Sequence, residues 1–198
     1  MTEPQPLFDP WELSIIQPHI EALSRRQVYL EIGGLAGGSL MWFGRLMETG
    51  ATLLTVDMPG ASFPENVDEN VASLTSAHER MRLERFTSII IPHWSANNDT
   101  IAAVRKILDG RKIDVLLIDG CHDPRGVGQD LLNYTPLCTG LVVMHDVGQP
   151  LGRQPWNNVL AQISCGGAFH WLAAGRRSLM VQAKWGTGLV WMNEPRKQ

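Results

Sequence analysis

The sequence predicts an α/β fold: a doubly wound, mostly parallel sheet covered by helices on both faces. Two observations carry this. Five apolar runs without clean polar alternation, "VYLEI", "TLLTVD", "TSIIIPH", "DVLLID" and "GLVVMHD", are separated by helical stretches. Strands buried on both faces of a parallel sheet read this way. A polar or acidic residue also closes nearly every run: Glu31, Asp57, His93, Asp119 and the pair His145-Asp146. Ligands of such sheets bind beyond the carboxyl ends of the strands, near the switch point. A strand with only a structural task has no need to end on a carboxylate.

The elements follow in order. Residues 1–27 form an N-terminal helical segment that packs on a single domain over 28–198. Asp9-Pro10 supplies an N-cap and a proline at the first helical position, opening a helix to about Ser24 that Pro18 is placed to kink. After "VYLEI", the stretch "SLMWFGRLMETG" is a helix stopped by Gly50, and "TLLTVD" is the second strand. A Pro/Gly loop leads to the helix "NVASLTSAHERMRLERF", then to "TSIIIPH". The helix "NDTIAAVRKILDG" is capped by Asn98 or Asp99 and stopped by Gly110. "DVLLID", the helix "GVGQDLLNYTPL" and "GLVVMHD" come next, followed by a short helix "PWNNVLAQIS". The tail from Phe169 to Met192 reads as two or three strands.

Composition bounds the class. The chain of 198 residues is 44% hydrophobic with a formal net charge of -3, which describes a soluble globular protein. Nothing basic enough for a nucleic-acid track is present; Arg25-Arg26 and Arg176-Arg177 read as solvated surface. Cys121, Cys138 and Cys165 are odd in number and widely spaced, against a disulfide framework or zinc site and consistent with a reducing cytoplasm. The N-terminus lacks the basic-then-apolar pattern of a signal peptide, and no apolar run is long enough to span a membrane.

The stretch "VYLEIGGLAGGS" places four glycines in the six positions from Gly33 to Gly38, one residue past Glu31. Glycine lets the backbone turn tightly and approach a ligand, and the helix that follows presents its N–H groups to a negative charge. A dinucleotide site favours G-x-G-x-x-G; this loop fits E-x-G-x-x-x-G on Glu31, Gly33 and Gly37. That arrangement suits a ligand with an amino-acid tail, although a tight strand–helix turn without a ligand reads the same. Asp57 is placed to accept from a ribose diol, or to cap a helix.

Together, "YLEIGGLAGGS", "TLLTVD", "DVLLIDGCHDPRGVGQDLLNYTPL", "GLVVMHDV" and "GTGLVWM" resemble a class I S-adenosylmethionine-dependent methyltransferase over about Val28 to Met192. The branch is that of small-molecule and sugar O-methyltransferases grouped with cephalosporin hydroxylase; its most specific pairing is "IDGCH" with "GLVVMHD". The resemblance implies a Rossmann-like methyltransferase sheet of seven strands with an antiparallel last strand, for which "TGLVWM" is suited. It implies that Glu31, Gly33, Gly37 and Ser39 hold the methionine end of the cofactor and that Asp57 takes the ribose. It places His93, Trp94 and Ser95 near the adenine, where Trp94 reads equally as a core or lid aromatic.

Asp119, His122, His145 and Asp146 belong to the ends of the fourth and fifth strands. Methyl transfer from a sulfonium is an in-line displacement, so the enzyme positions a nucleophile and helps it lose a proton. The resemblance implies a divalent metal on Asp119, His145 and Asp146, with Mg²⁺ or Mn²⁺ as candidates. Two departures matter: histidine stands at His145 in place of an acidic residue, and Cys121 in place of a second aspartate. Fewer carboxylates weaken a Mg²⁺ site, and histidine suits Mn²⁺ better. His145 alternatively acts as a metal-free base, with His122 and Asp119 beside it. Cys121 reads as a small, partly buried side chain, Asp123 and Asp130 as helix-capping or solvated, and His19, His78 and His170 as surface polar residues.

The expected activity is methyl transfer to a hydroxyl of a small molecule, with loops Met58–Asn70 and Gly148–Trp156 forming much of the acceptor pocket. A cofactor-binding regulatory or scaffold protein without turnover is the alternative. A nicotinamide-dependent oxidoreductase fits less well, because neither tyrosine heads a Tyr-x-x-x-Lys pair. A magnesium-dependent enzyme on a phosphorylated substrate has no P-loop to support it. Trp171, Trp185 and Trp191 are suited either to fill the core or to cover a homodimer interface.

Overall fold

The structure, a computed structural model, describes residues 3–58, 66–148 and 156–195. Helix α1 (Pro10–Glu21) leads to β1 (Val28–Ile32), α2 (Gly38–Arg45) and β2 (Thr52–Val56). Next come α3 (Val67–Leu83), β3 (Thr87–Ile91), α4 (Asn98–Leu108), β4 (Ile113–Ile118) and α5 (Pro124–Tyr134). A 3₁₀ turn over Thr135–Leu137 precedes β5 (Cys138–His145), which is followed by α6 (Trp156–Ala173), β6 (Arg176–Val181) and β7 (Thr187–Pro195).

The strands form one seven-stranded sheet in the order β3-β2-β1-β4-β5-β7-β6. Strands β1 to β5 are parallel, and β7 runs antiparallel between β5 and β6. The doubly wound sheet with its antiparallel last strand is therefore as the sequence leads one to expect. Alternate strand residues feed two cores. Leu30, Ile32, Leu116, Ile118, Val142 and Met144 pack under α4, α5 and α6. Tyr29, Leu53, Val115, Leu117, Leu141 and Val143 pack under α1, α2 and α3.

The topology fixes where a ligand can sit. The order reverses between β1 and β4, whose last residues Ile32 and Ile118 are register partners. Asp119 N–H donates to the Ile32 carbonyl and Gly33 N–H to the Val56 carbonyl, each at 2.9 Å. The glycine loop and the end of β4 thus leave the sheet side by side, at the switch point where open α/β sheets bind ligands.

Three expectations need correction. Helix α6 continues through Phe169 to Ala173, where strand structure was expected. Cys165, Phe169 and Leu172 are buried at helical spacing against the sheet, and this packing outweighs the Gly166-Gly167 pair. His78 is fully buried rather than at the surface, because Leu74, Ala77 and Met81 place its face of α3 against the sheet. Asp130 is neither cap nor solvated: it is fully buried on α5, and burial pushes its carboxyl up to about 6. Asp123 is the cap of α5, accepting from Arg125 and Gly126 N–H. Residues 59–65 and 149–155, the larger part of the two expected acceptor loops, lie outside the described residues. Among the described residues, no helix is long and apolar enough to cross a membrane.

Candidate active site

The glycine loop is shaped by close approach. A Cβ on Gly33, at φ +90°, would lie 2.2 Å from the Asp119 carbonyl oxygen, so only glycine fits between the two strand ends. Gly37 is also left-handed, and a Cβ there would meet that of Ala77 at 2.5 Å. Leu35 takes a positive φ of 43° between them, an uncommon conformation for a bulky side chain.

Under this loop lies Glu31, fully buried. Its carboxylate accepts from Tyr29 Oη and Ser39 Oγ at 2.8 Å each and from Thr55 Oγ1 at 2.7 Å. Burial pushes its pKa up to about 7, against the pull of these three donors. Glu31 thus meets the loop through Ser39, which is half-buried, rather than through an open carboxylate. Asp57 Oδ2 accepts from both Gly34 and Leu35 N–H, so the second strand's carboxylate holds the loop closed.

His93 and Trp94, just past β3, are exposed and Ser95 is half-buried; the Ser95 carbonyl accepts from Tyr134 Oη at 2.7 Å. Trp94 lies outside the core and stands at the lip of a hollow of about 420 Å³ bordered by Asn97, Arg125, Gly126 and Gln129.

The fourth and fifth strand ends bring four ionisable side chains together. His145 Nδ1 lies 3.4 Å from Asp119 Oδ1 and 3.6 Å from Asp146 Oδ1. His122 Nε2 lies 3.4 Å from Asp119 Oδ1 and 3.2 Å from Asp146 Oδ2. One ligand atom each from Asp119, His145 and Asp146 falls within 4.8 Å of the others, a spacing able to hold a metal ion. Asp146 is aimed into the cluster by a left-handed backbone, φ 58°, the kind of strain that collects at functional sites. Phe8 covers the back of His145, with ring centroids 4.4 Å apart.

The two histidines differ in access. His145 has 5% of its side chain exposed and His122 36%. Burial works against the charged form of His145, but the Asp119 and Asp146 carboxylates outweigh it and push its pKa up to about 10. The same balance raises His122, and it holds Asp119 well below the usual carboxylate range despite burial. Cys121 donates its thiol to Asp123 Oδ2 at 2.7 Å; burial and that carboxylate raise its pKa, so it is no nucleophile.

The glycine loop and the acid–base cluster both fall within residues 30–147, over which the sequence matches a family model for "Methyltransferase domain". The chain belongs to the methyltransferase-domain family. Among solved structures the fold is similar to an O-methyltransferase from Bacillus cereus in complex with SAH: TM-score 0.62, 16% identity, 96% of this chain and 84% of that one. It is similar to the O-methyltransferase TomG from Streptomyces achromogenes, involved in tomaymycin synthesis and in complex with SAM: TM-score 0.61, 16% identity, 93% and 80% coverage. It is also similar to a TDP-rhamnose 3′-O-methyltransferase of calicheamicin biosynthesis: TM-score 0.64, 11% identity, 93% and 78% coverage. No curated protein matches in sequence.

Around the site of this methyltransferase, sequence reasoning misses Tyr29, Thr55, His78 and Phe8. Tyr29 and Glu31 stand two apart on one strand and therefore share a face, a signal already in "VYLEI". Phe8 carries no such signal, since its contact with His145 spans most of the chain.

Proposed function

We propose that this chain transfers a methyl group from S-adenosylmethionine to a hydroxyl of a small molecule, of sugar or secondary-metabolite type. The observation that carries it is the convergence of Asp119, His122, His145 and Asp146 beside the Gly33 loop. Ser39, with Glu31 behind it, receives the cofactor's ammonium, and Gly33 and Gly37 let the loop backbone approach the methionine tail. Asp57 retains Oδ1 for the ribose hydroxyls, since both its loop bonds fall on Oδ2. The region of exposed His93 and Trp94 and half-buried Ser95 receives the adenine.

The methyl carbon passes from sulfur to the acceptor oxygen as the S–C bond breaks and the O–C bond forms, and the hydroxyl proton must leave. His122, the more accessible imidazole, takes that proton in its neutral form, which its two carboxylate neighbours disfavour, so turnover should rise with pH; the same carboxylates hold both rings in place. Without a bound ion, buried and protonated His145 balances the charge of Asp119 and Asp146; to ligate an ion it must first give up its proton. The donor set fits a divalent ion on Asp119, His145 and Asp146, with imidazole favouring Mn²⁺ over Mg²⁺. A bound ion would supply Lewis acidity that lowers the pKa of an acceptor hydroxyl.

The test is transfer of labelled methyl to a panel of sugars and phenols, after chelation and after return of Mn²⁺ or Mg²⁺. Transfer restored by Mn²⁺ more than by Mg²⁺ is expected. Transfer unaffected by chelation would remove the metal and leave the histidine pair. Binding of S-adenosylmethionine with no transfer under any condition would favour a regulatory cofactor-binding protein.

A further inference from the structure

His78 takes part in none of the chemistry above, yet it is fully buried on α3 and hydrogen-bonded at both ring nitrogens. Nε2 lies 2.9 Å from Thr55 Oγ1, and Nδ1 lies 2.7 Å from Ser88 Oγ. The direction of each bond can be worked out, because a hydroxyl has a single proton to give. Thr55 gives its proton to Glu31, so it must accept from His78, and Nε2 carries the hydrogen. Burial, helped by Arg82, keeps the ring neutral, so Nδ1 accepts from Ser88. The Arg82 guanidinium fixes the Ser88 backbone by donating to its carbonyl.

The chain of donors is therefore Ser88 to His78 to Thr55 to Glu31, entirely beneath the loop. From the other side Ser39 also donates to Glu31, which leaves the Ser39 oxygen with only lone pairs to offer outward. An ammonium group is the donor such an oxygen accepts from. The loop rests directly on this relay: a Cβ on Gly34 would touch Thr55 Cγ2 at 2.4 Å and Glu31 Oε1 at 3.3 Å.

We propose that His78 is a positioning residue for the cofactor's amino-acid tail: as the neutral Nε2–H tautomer it fixes Thr55 as a donor to Glu31 and so keeps Ser39 ready to accept an ammonium. The inference rests on the proposed cofactor. Without His78 the Thr55 hydroxyl can reverse, the Glu31 carboxylate loses a committed donor, and the polarity of Ser39 is no longer set.

The experiment compares binding of S-adenosylhomocysteine, which carries the amino-acid tail, with 5′-methylthioadenosine, which lacks it. His78→Leu is expected to weaken S-adenosylhomocysteine about tenfold, the worth of one charge-assisted hydrogen bond, and to leave 5′-methylthioadenosine unchanged. His78→Gln, with a donor and an acceptor on one amide, keeps the affinity. Thr55→Val reproduces the selective loss, and adding His78→Leu to it costs nothing further. Should His78→Leu fail to fold, Thr55→Val and His78→Gln still decide the matter. Equal weakening of both ligands, or additive losses in the double variant, would overturn the relay. Failure of the unaltered chain to bind either ligand would instead overturn the proposed cofactor, and the inference with it.

Discussion

Asp146→Asn is expected to lower methyl-transfer turnover by at least about a hundredfold, the usual worth of a positioned acid–base group, while the protein stays folded. Asparagine tolerates the left-handed backbone at this position, φ 58°, so the change removes charge rather than geometry. His122 and His145 would then face the single carboxylate of Asp119, and the contacts at 3.2 Å and 3.6 Å would lose their ionic character. Glu31, Ser39 and Asp57 are untouched, so cofactor affinity should hold. Initial rates with labelled S-adenosylmethionine, beside calorimetric binding, separate the two effects. A rate within a few-fold of the unaltered chain would remove Asp146 from the chemistry.

Gly33→Ala is expected to destabilise the domain by about 3 kcal/mol or more, in the range of substitutions that combine backbone strain with a steric clash. The new Cβ would meet main-chain atoms at 2.2 Å and 2.7 Å, which cannot swing aside as a side chain does. Moving them means separating the ends of β1 and β4. Gly50→Ala is the control: its φ of +86° is equally left-handed, but nothing lies within 4 Å of the added atom. Its expected cost is the backbone term alone, about 1–2 kcal/mol. Denaturant midpoints for the two variants measure the difference, and equal losses would show that the contact with Asp119 carries no stability.

The strand ends were legible in the sequence because a buried parallel strand is a short apolar run, and the residue after it stands at the sheet's carboxyl edge. Asp119, His145 and Asp146 could be placed together once β4 and β5 were taken as neighbours, and their register confirms the pairing. His122 followed from its position three residues past Asp119. The buried relay was less legible, although α3 held a signal: Leu74, Ala77 and Met81 mark an apolar stripe that includes His78. Reading "HERMRLER" as a polar surface hides this. Helix α1 is legible from Asp9-Pro10, but the partners of the N-terminal segment are not. Glu12 accepts from Thr187 Oγ1 at 2.8 Å and Phe8 covers His145, contacts that pair the first residues of the chain with its later strands. Helix α6 extends past the short "PWNNVLAQIS" helix that the sequence predicts, because burial of Phe169 and Leu172 against the sheet decides the outcome.

If the Gly33 loop, Asp57 and the relay beneath them hold S-adenosylmethionine, the free chain must bind it and discriminate against a dinucleotide. Titration calorimetry of the whole chain with S-adenosylmethionine, and separately with NAD, tests it most directly. Micromolar binding of S-adenosylmethionine and none of NAD is expected. Binding of NAD, or of neither, would contradict it.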